Sequence, residues 1–130
     1  MVNLNNLFQS ADWKTEKHTP VLEIIGEAKK IVSIAVKVTV GKEIAHPNTT
    51  EHHIRWIDVY FLPEGGKFPY QIGKSEFTAH GASVDGANSS TIYSSPITTI
   101  TFKTEKPGTL IAFSFCNIHG LWQNTLDLKF

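Results

Sequence analysis

The amino-acid sequence predicts an all-β protein, an immunoglobulin-like antiparallel β-sandwich of about seven strands. Three observations lead there. Apolar residues alternate with polar ones over short runs instead of recurring at helical spacing. Clusters of Gly, Pro, Asn and Asp separate those runs. No stretch combines a 3.6-residue apolar period with helix-capping residues. Seven or eight short strands divided by turns is the pattern of a Greek-key sandwich.

Along the chain, residues 1–17, with Gln9-Ser10-Ala11-Asp12, read as irregular, and residues 21–25 as a first short strand. Over 31–40, Val32, Ile34, Val36, Val38 and Val40 take the even positions, with Ser33, Lys37 and Thr39 between them. That is a half-buried strand. Over 54–62, Ile57, Val59 and Phe61 share one face, and Trp56 and Tyr60 the other. Residues 68–79 and 91–94 are shorter candidates, and the Thr- and Ile-rich run 97–103 suits a pleated surface. The 109–115 run predicts Ile111, Phe113 and Phe115 inward. The last run, 122–130, sets Trp122, Leu126, Leu128 and Phe130 on one face, with Asn124 as a polar exception. Turns are marked by Pro63-Glu64-Gly65-Gly66, Asp85-Gly86-Ala87-Asn88 and Lys106-Pro107-Gly108.

A length of 130 residues predicts one domain, 1–130. Twelve Lys and Arg against twelve Asp and Glu give no net charge, so no nucleic-acid partner is expected. A single cysteine excludes an internal disulfide framework. No apolar run approaches the roughly 20 residues of a membrane span, so no membrane association is expected. The first eight residues lack a basic region followed by an apolar one, and the expected location is cytoplasmic.

The unusual resource is six histidines beside that one cysteine. Cys116 and His119 are three apart, just past a strand, where a thiolate and an imidazole can reach one ion; Gly120 favours the tight turn this needs. His46 and His52 lie six apart in the connection before strand 54–62, with Pro47 stiffening its start. His53 begins that strand, so its side chain should point away from that of His52. His18 stands just before the first strand. Taken singly, these positions also fit a buried thiol beside an unrelated imidazole, and a solvated polar loop. Taken together, four imidazoles and a thiolate exceed the four ligands of a closed zinc site. They suit a five-coordinate transition metal with one open position, where a redox-active ion such as iron gains most.

Three motifs then carry a resemblance that spans essentially the whole chain. They are Glu16-Lys17-His18-Thr19-Pro20, His46-Pro47-x-x-x-Glu51-His52-x-Ile54 and Cys116-Asn117-x-His119-Gly120-Leu121-Trp122. In this order they resemble superoxide reductases, the one-iron neelaredoxin branch of the desulfoferrodoxin family. The resemblance implies an immunoglobulin-like sandwich holding one mononuclear non-haem iron. By motif, His18, His46, His52 and His119 are its equatorial ligands and Cys116 the axial thiolate. Glu16 is implied as a sixth ligand of the ferric state, and Lys17 as the cation that draws in superoxide, with Lys14 a possible assistant. The implied reaction reduces superoxide to hydrogen peroxide. The resemblance also implies a rubredoxin-like electron donor and a homotetrameric assembly. The cysteines of a second, rubredoxin-like iron domain are absent from these 130 residues. His53 and His80 are given no role, and the peptide N–H groups of Asn117 and Ile118 are expected to face the thiolate. Two rival readings are a blue-copper electron carrier and a sandwich module with structural zinc. The first uses two histidines, one cysteine and a weak axial Met or Gln; it would leave two imidazoles idle, and the one methionine is Met1. The second leaves Glu16-Lys17-His18 unexplained.

Overall fold

The computed structural model describes residues 2–130. Its seven strands are β1 (Val21–Ile25), β2 (Ile34–Thr39), β3 (Ile54–Pro63), β4 (Tyr70–Glu76), β5 (Ile97–Phe102), β6 (Gly108–Cys116) and β7 (Gly120–Leu128). The one helical element among the described residues is a single 3-10 turn, Leu4–Asn6. Two antiparallel sheets form, in the orders β1-β2-β5 and β4-β3-β6-β7. β1 abuts β7 and β4 abuts β5, so the sheets meet face to face as the expected all-β sandwich.

Alternation fills the space between the sheets. Ile34, Val36 and Val38 of β2, followed by Val40, face Ile57, Val59 and Phe61 of β3, and all are buried. The β6 strand reverses its predicted phase. Leu110, Ala112, Ser114 and Cys116 point inward, whereas Ile111, Phe113 and Phe115 lie half-buried on the outer face. Both sets of β6 are apolar, so alternation alone leaves the phase open. Packing decides it. The inner space takes small side chains, while the outer aromatics find aromatic partners: Phe113 meets Phe8 and Tyr60, and Phe115 stacks on Trp56.

Other expectations shift at the edges. Residues 91–94 form no strand; Tyr93 makes an isolated bridge to His80. Val32 precedes β2 and is exposed, and Phe130 lies beyond β7 and is exposed. Asn124 is tolerated because its amide donates to the Pro20 carbonyl at 2.9 Å, satisfying the polar group.

The register brings the chemistry to one pole. Val21 pairs with Thr39, Ile54 with Cys116, and Cys116 with Gly120. The start of β1, the end of β2, the start of β3, the end of β6 and the start of β7 therefore share one end of the sandwich. The connection between β4 and β5, residues 77–96, closes over the same end.

Candidate metal centre

Each of the three sequence motifs is held by local bonding before it meets the others. Glu16 closes the turn ahead of β1: its carboxylate accepts the peptide N–H groups of His18 at 2.7 Å and Thr19 at 2.8 Å. It also meets Nδ1 of the His18 ring. Burial opposes ionisation of Glu16, but the bonds from Thr19 and His18 prevail and hold its carboxyl below the usual value. With Nδ1 engaged, Nε2 is the nitrogen that His18 presents.

His46 follows a tight loop that begins at Gly41. The φ of Gly41 is +85°, and a Cβ there would lie 2.4 Å from the peptide nitrogen of His46. Only glycine allows that approach. The Nδ1 of His46 pairs with the Pro47 carbonyl, so Nε2 again remains. That Nε2 is buried without any hydrogen-bond partner. Burial pushes the His46 pKa down to about 4, against the Pro47 carbonyl, so the ring is neutral and its lone pair is free.

The third motif lies across the β6–β7 turn. Cys116 is fully buried, and its sulfur receives the peptide N–H of His119 at 3.4 Å. This corrects the expectation for Asn117, whose N–H goes to the His53 carbonyl at 3.1 Å. Among the described contacts, the N–H of Ile118 is not directed at the sulfur. The Asn117 side chain brackets His52 from both sides: Oδ1 accepts the His53 N–H at 2.8 Å and Nδ2 donates to the Glu51 carbonyl at 2.9 Å. One residue thus ties the thiolate turn to the histidine loop.

Four imidazoles close into a ring. Centroids lie 4.7 Å apart for His18 and His46, 4.6 Å for His46 and His52, 5.0 Å for His52 and His119, and 4.6 Å for His119 and His18. Nδ1 of His119 is 3.0 Å from Nε2 of His18, 3.2 Å from Nε2 of His52 and 3.7 Å from the Cys116 sulfur. Donor atoms of His18, His52, Cys116 and His119 all lie within 4.8 Å of one another. The donor set fits a metal ion. Two nitrogens bound at right angles to one ion at about 2.1 Å are about 3 Å apart. Close, converging nitrogens and a buried Nε2 without a hydrogen-bond partner are groups that a bound ion would satisfy.

The site is open on one side: His119 is exposed and His52 half-buried, while His18 and His46 are buried. Burial lowers the pKa values of His18 and His52, and the Lys17 ammonium lowers those of His18, His46 and His52 further. Lys17 therefore acts electrostatically on the ring. The Lys14 ammonium lies 5.7 Å over the Trp13 ring. Glu16 is turned into its own hydrogen-bonded loop; neither it nor His46 is among the donors that lie within 4.8 Å of one another, though the His46 ring packs against those of His18 and His52. His53 points away from His52, as expected, and stacks on His80 at 3.6 Å.

Sequence reasoning missed the supports. Asn48 is buried; its amide reaches the Ser94 carbonyl and its oxygen accepts the Ile54 N–H at 3.0 Å. Thr50 bonds to Asn88 and to the His80 carbonyl at 2.7 Å. These contacts span up to 46 residues, and no local pattern announces them.

Fold and site together define a β-sandwich protein with a candidate metal site, rich in histidine and bearing one cysteine, at one pole. Residues 10–125 match the Desulfoferrodoxin family. The chain belongs to that family. It is 56% identical over 126 residues to the superoxide reductase of Pyrococcus furiosus, covering 97% of this chain and 99% of that one. It is 53% identical over 120 residues to the neelaredoxin of Megalodesulfovibrio gigas, covering 92% of each. The solved structure of the superoxide reductase (neelaredoxin) from Archaeoglobus fulgidus in the reduced form superimposes with a TM-score of 0.90 at 59% identity. It covers 95% of this chain and 99% of that chain.

Proposed function

We propose that residues 1–130 form one superoxide reductase domain, which converts O₂⁻, one electron and two protons to H₂O₂. The observation that carries this reading is the convergence of donor atoms from His18, His52, His119 and the buried Cys116 on one place, with the His46 ring packed beside them. His18, His46, His52, His119 and Cys116 would hold one iron, and bound iron would supply a one-electron couple and a place for the anion. Four imidazoles favour this over a two-histidine copper site, and an open side favours it over a closed zinc site.

The chain's own groups have separable tasks. Lys17 raises the local concentration of the substrate anion beside the ring. The peptide N–H of His119 lowers charge on the Cys116 sulfur and tunes its donor strength. The exposed edge at His119 admits superoxide and water, so protons reach the reduced oxygen from solvent. Glu16 is the proposed sixth, ferric-state ligand. To serve, its carboxylate must give up its bonds to His18 and Thr19, so ligation and the opening of that turn are linked.

A small rubredoxin-like donor returns the electron through a limited interface, as transfer encounters do. The proposed assembly is a homotetramer, and the proposed location is cytoplasmic; no helix among the described residues is long and apolar enough to cross a membrane.

Iron content with visible spectra tests the centre. About one iron per chain, a weakly coloured reduced form and an intense sulfur-to-iron band on oxidation are expected. Zinc alone, with no oxidisable chromophore after reconstitution with ferrous iron, would overturn the reading.

A further inference from the structure

We propose that Trp122 is a positioning residue for the metal centre, holding His18 and His119 so that their free nitrogens meet. This rests on the reading of the centre given above. Two contacts from one indole carry it. The ring of Trp122 stacks on that of His18 with centroids 4.9 Å apart and planes 15° from parallel. Its Nε1–H donates to the carbonyl of His119 at 3.2 Å.

Each contact adds a restraint to a ring that also touches its neighbours in the cluster. The bond at Nδ1 pins one point of the His18 ring and leaves its plane free to tilt. A flat indole face against that plane stops the tilt. The backbone of His18 is fixed separately, by the Ser114 hydroxyl donating to its carbonyl at 3.3 Å. Ser114 is the register partner of Trp122, so both restraints come from one rung of the β6–β7 ladder.

His119 needs help for a different reason. It is exposed, held mainly by the neighbouring rings of His18 and His52, and Gly120 after it takes φ +78°. The indole N–H closes the turn from 119 to 122 and anchors the carbonyl of His119, the residue whose own N–H meets the Cys116 sulfur. The 3.0 Å meeting of His18 Nε2 and His119 Nδ1 is therefore supported from both sides by Trp122. The indole is only half-buried and lies at the pole, so filling the core does not explain it.

Cobalt(II) titration of the metal-free protein tests this, with the sulfur-to-cobalt and ligand-field bands as readouts. Thermal unfolding of the metal-free protein is measured in parallel. Trp122→Leu removes both contacts and is expected to weaken cobalt binding about 10- to 100-fold, with shifted ligand-field bands. Trp122→Phe keeps a flat face without the donor and should fall between Trp122→Leu and wild type. Wild-type affinity and band positions in both variants would overturn the proposal, even with a lowered unfolding temperature. If Trp122→Leu does not fold, Trp122→Phe decides: wild-type affinity and bands there overturn it, and an intermediate loss supports it. Failure of the underlying reading looks different. Wild-type protein would then bind cobalt without a sulfur band, or keep that band in Cys116→Ser.

Discussion

Lys17 and Glu16 are neighbours with opposite charges, and their surroundings give them separable effects. Lys17 acts through its field on the imidazole ring, so Lys17→Ala should slow the bimolecular reaction with superoxide. It should also flatten the dependence of that rate on ionic strength, because screening then has less to remove. Pulse radiolysis at two salt concentrations reads both. Glu16 is instead bound into its own turn. Glu16→Ala should change the spectrum of the oxidised protein and leave the first encounter with superoxide nearly intact. A large loss in that encounter rate would contradict the ferric-ligand role. His46 carries the clearest titration. Its folded pKa of about 4 lies below the unfolded value of 6.5. The unfolded chain therefore binds the proton more readily, and stability is full above pH 6.5 and falls as pH drops towards 4. The lowered values of His18 and His52 act in the same direction. Urea denaturation of the metal-free protein between pH 7 and 4 should show the midpoint falling, and His46→Gln should reduce that slope.

The loops that carry the site depend on backbone positions as much as on side chains. Gly41 and Gly65 both adopt positive φ, +85° and +73°. An alanine at Gly65 meets nothing within 4 Å, so it bears only the cost of the left-handed conformation, about 1–2 kcal/mol. An alanine at Gly41 bears that cost and also collides with the peptide of His46. Gly41→Ala should therefore lower thermal stability more than Gly65→Ala and weaken metal binding, whereas Gly65→Ala should leave binding unchanged. Strand β6 teaches a different lesson at this scale. Leu110, Ala112 and Cys116 compete with Ile111, Phe113 and Phe115 for the interior, and bulk favours the second set. The smaller set goes inside because the opposing sheet already supplies Val36, Val38 and Ile34, while Phe8, Tyr60 and Trp56 cover the aromatics outside.

At the scale of the molecule, two stacked sheets serve to bring three separate segments to one pole. A bound metal should then couple these segments and stabilise the whole fold. An ion at 100 times its dissociation constant adds about 2.7 kcal/mol. For a chain of this size that corresponds to a rise in melting temperature of about 10 °C. Scanning calorimetry with and without iron(II) under anaerobic conditions should show it, and Cys116→Ser should show a smaller rise.

Most of the strand pattern, and the residues gathered at the pole, can be read along the chain. Both are written in short-range features: a two-residue alternation, turn residues, and the motifs around His18, His46 to His52, and Cys116 to His119. Tertiary structure decided what depends on distant partners. It chose which nitrogen each imidazole presents, by placing the Glu16 carboxylate on His18 and the Pro47 carbonyl on His46. It chose the inner face of β6, and it directed the sulfur's hydrogen bond to the N–H of His119 rather than that of Asn117. It also joined Asn48 to Ser94 and Thr50 to Asn88 across long stretches of chain. Alternation and motif spacing are properties of neighbours along the chain. Ring orientation and packing phase follow from which surfaces compete for the same space, and that competition exists only once the two sheets have closed.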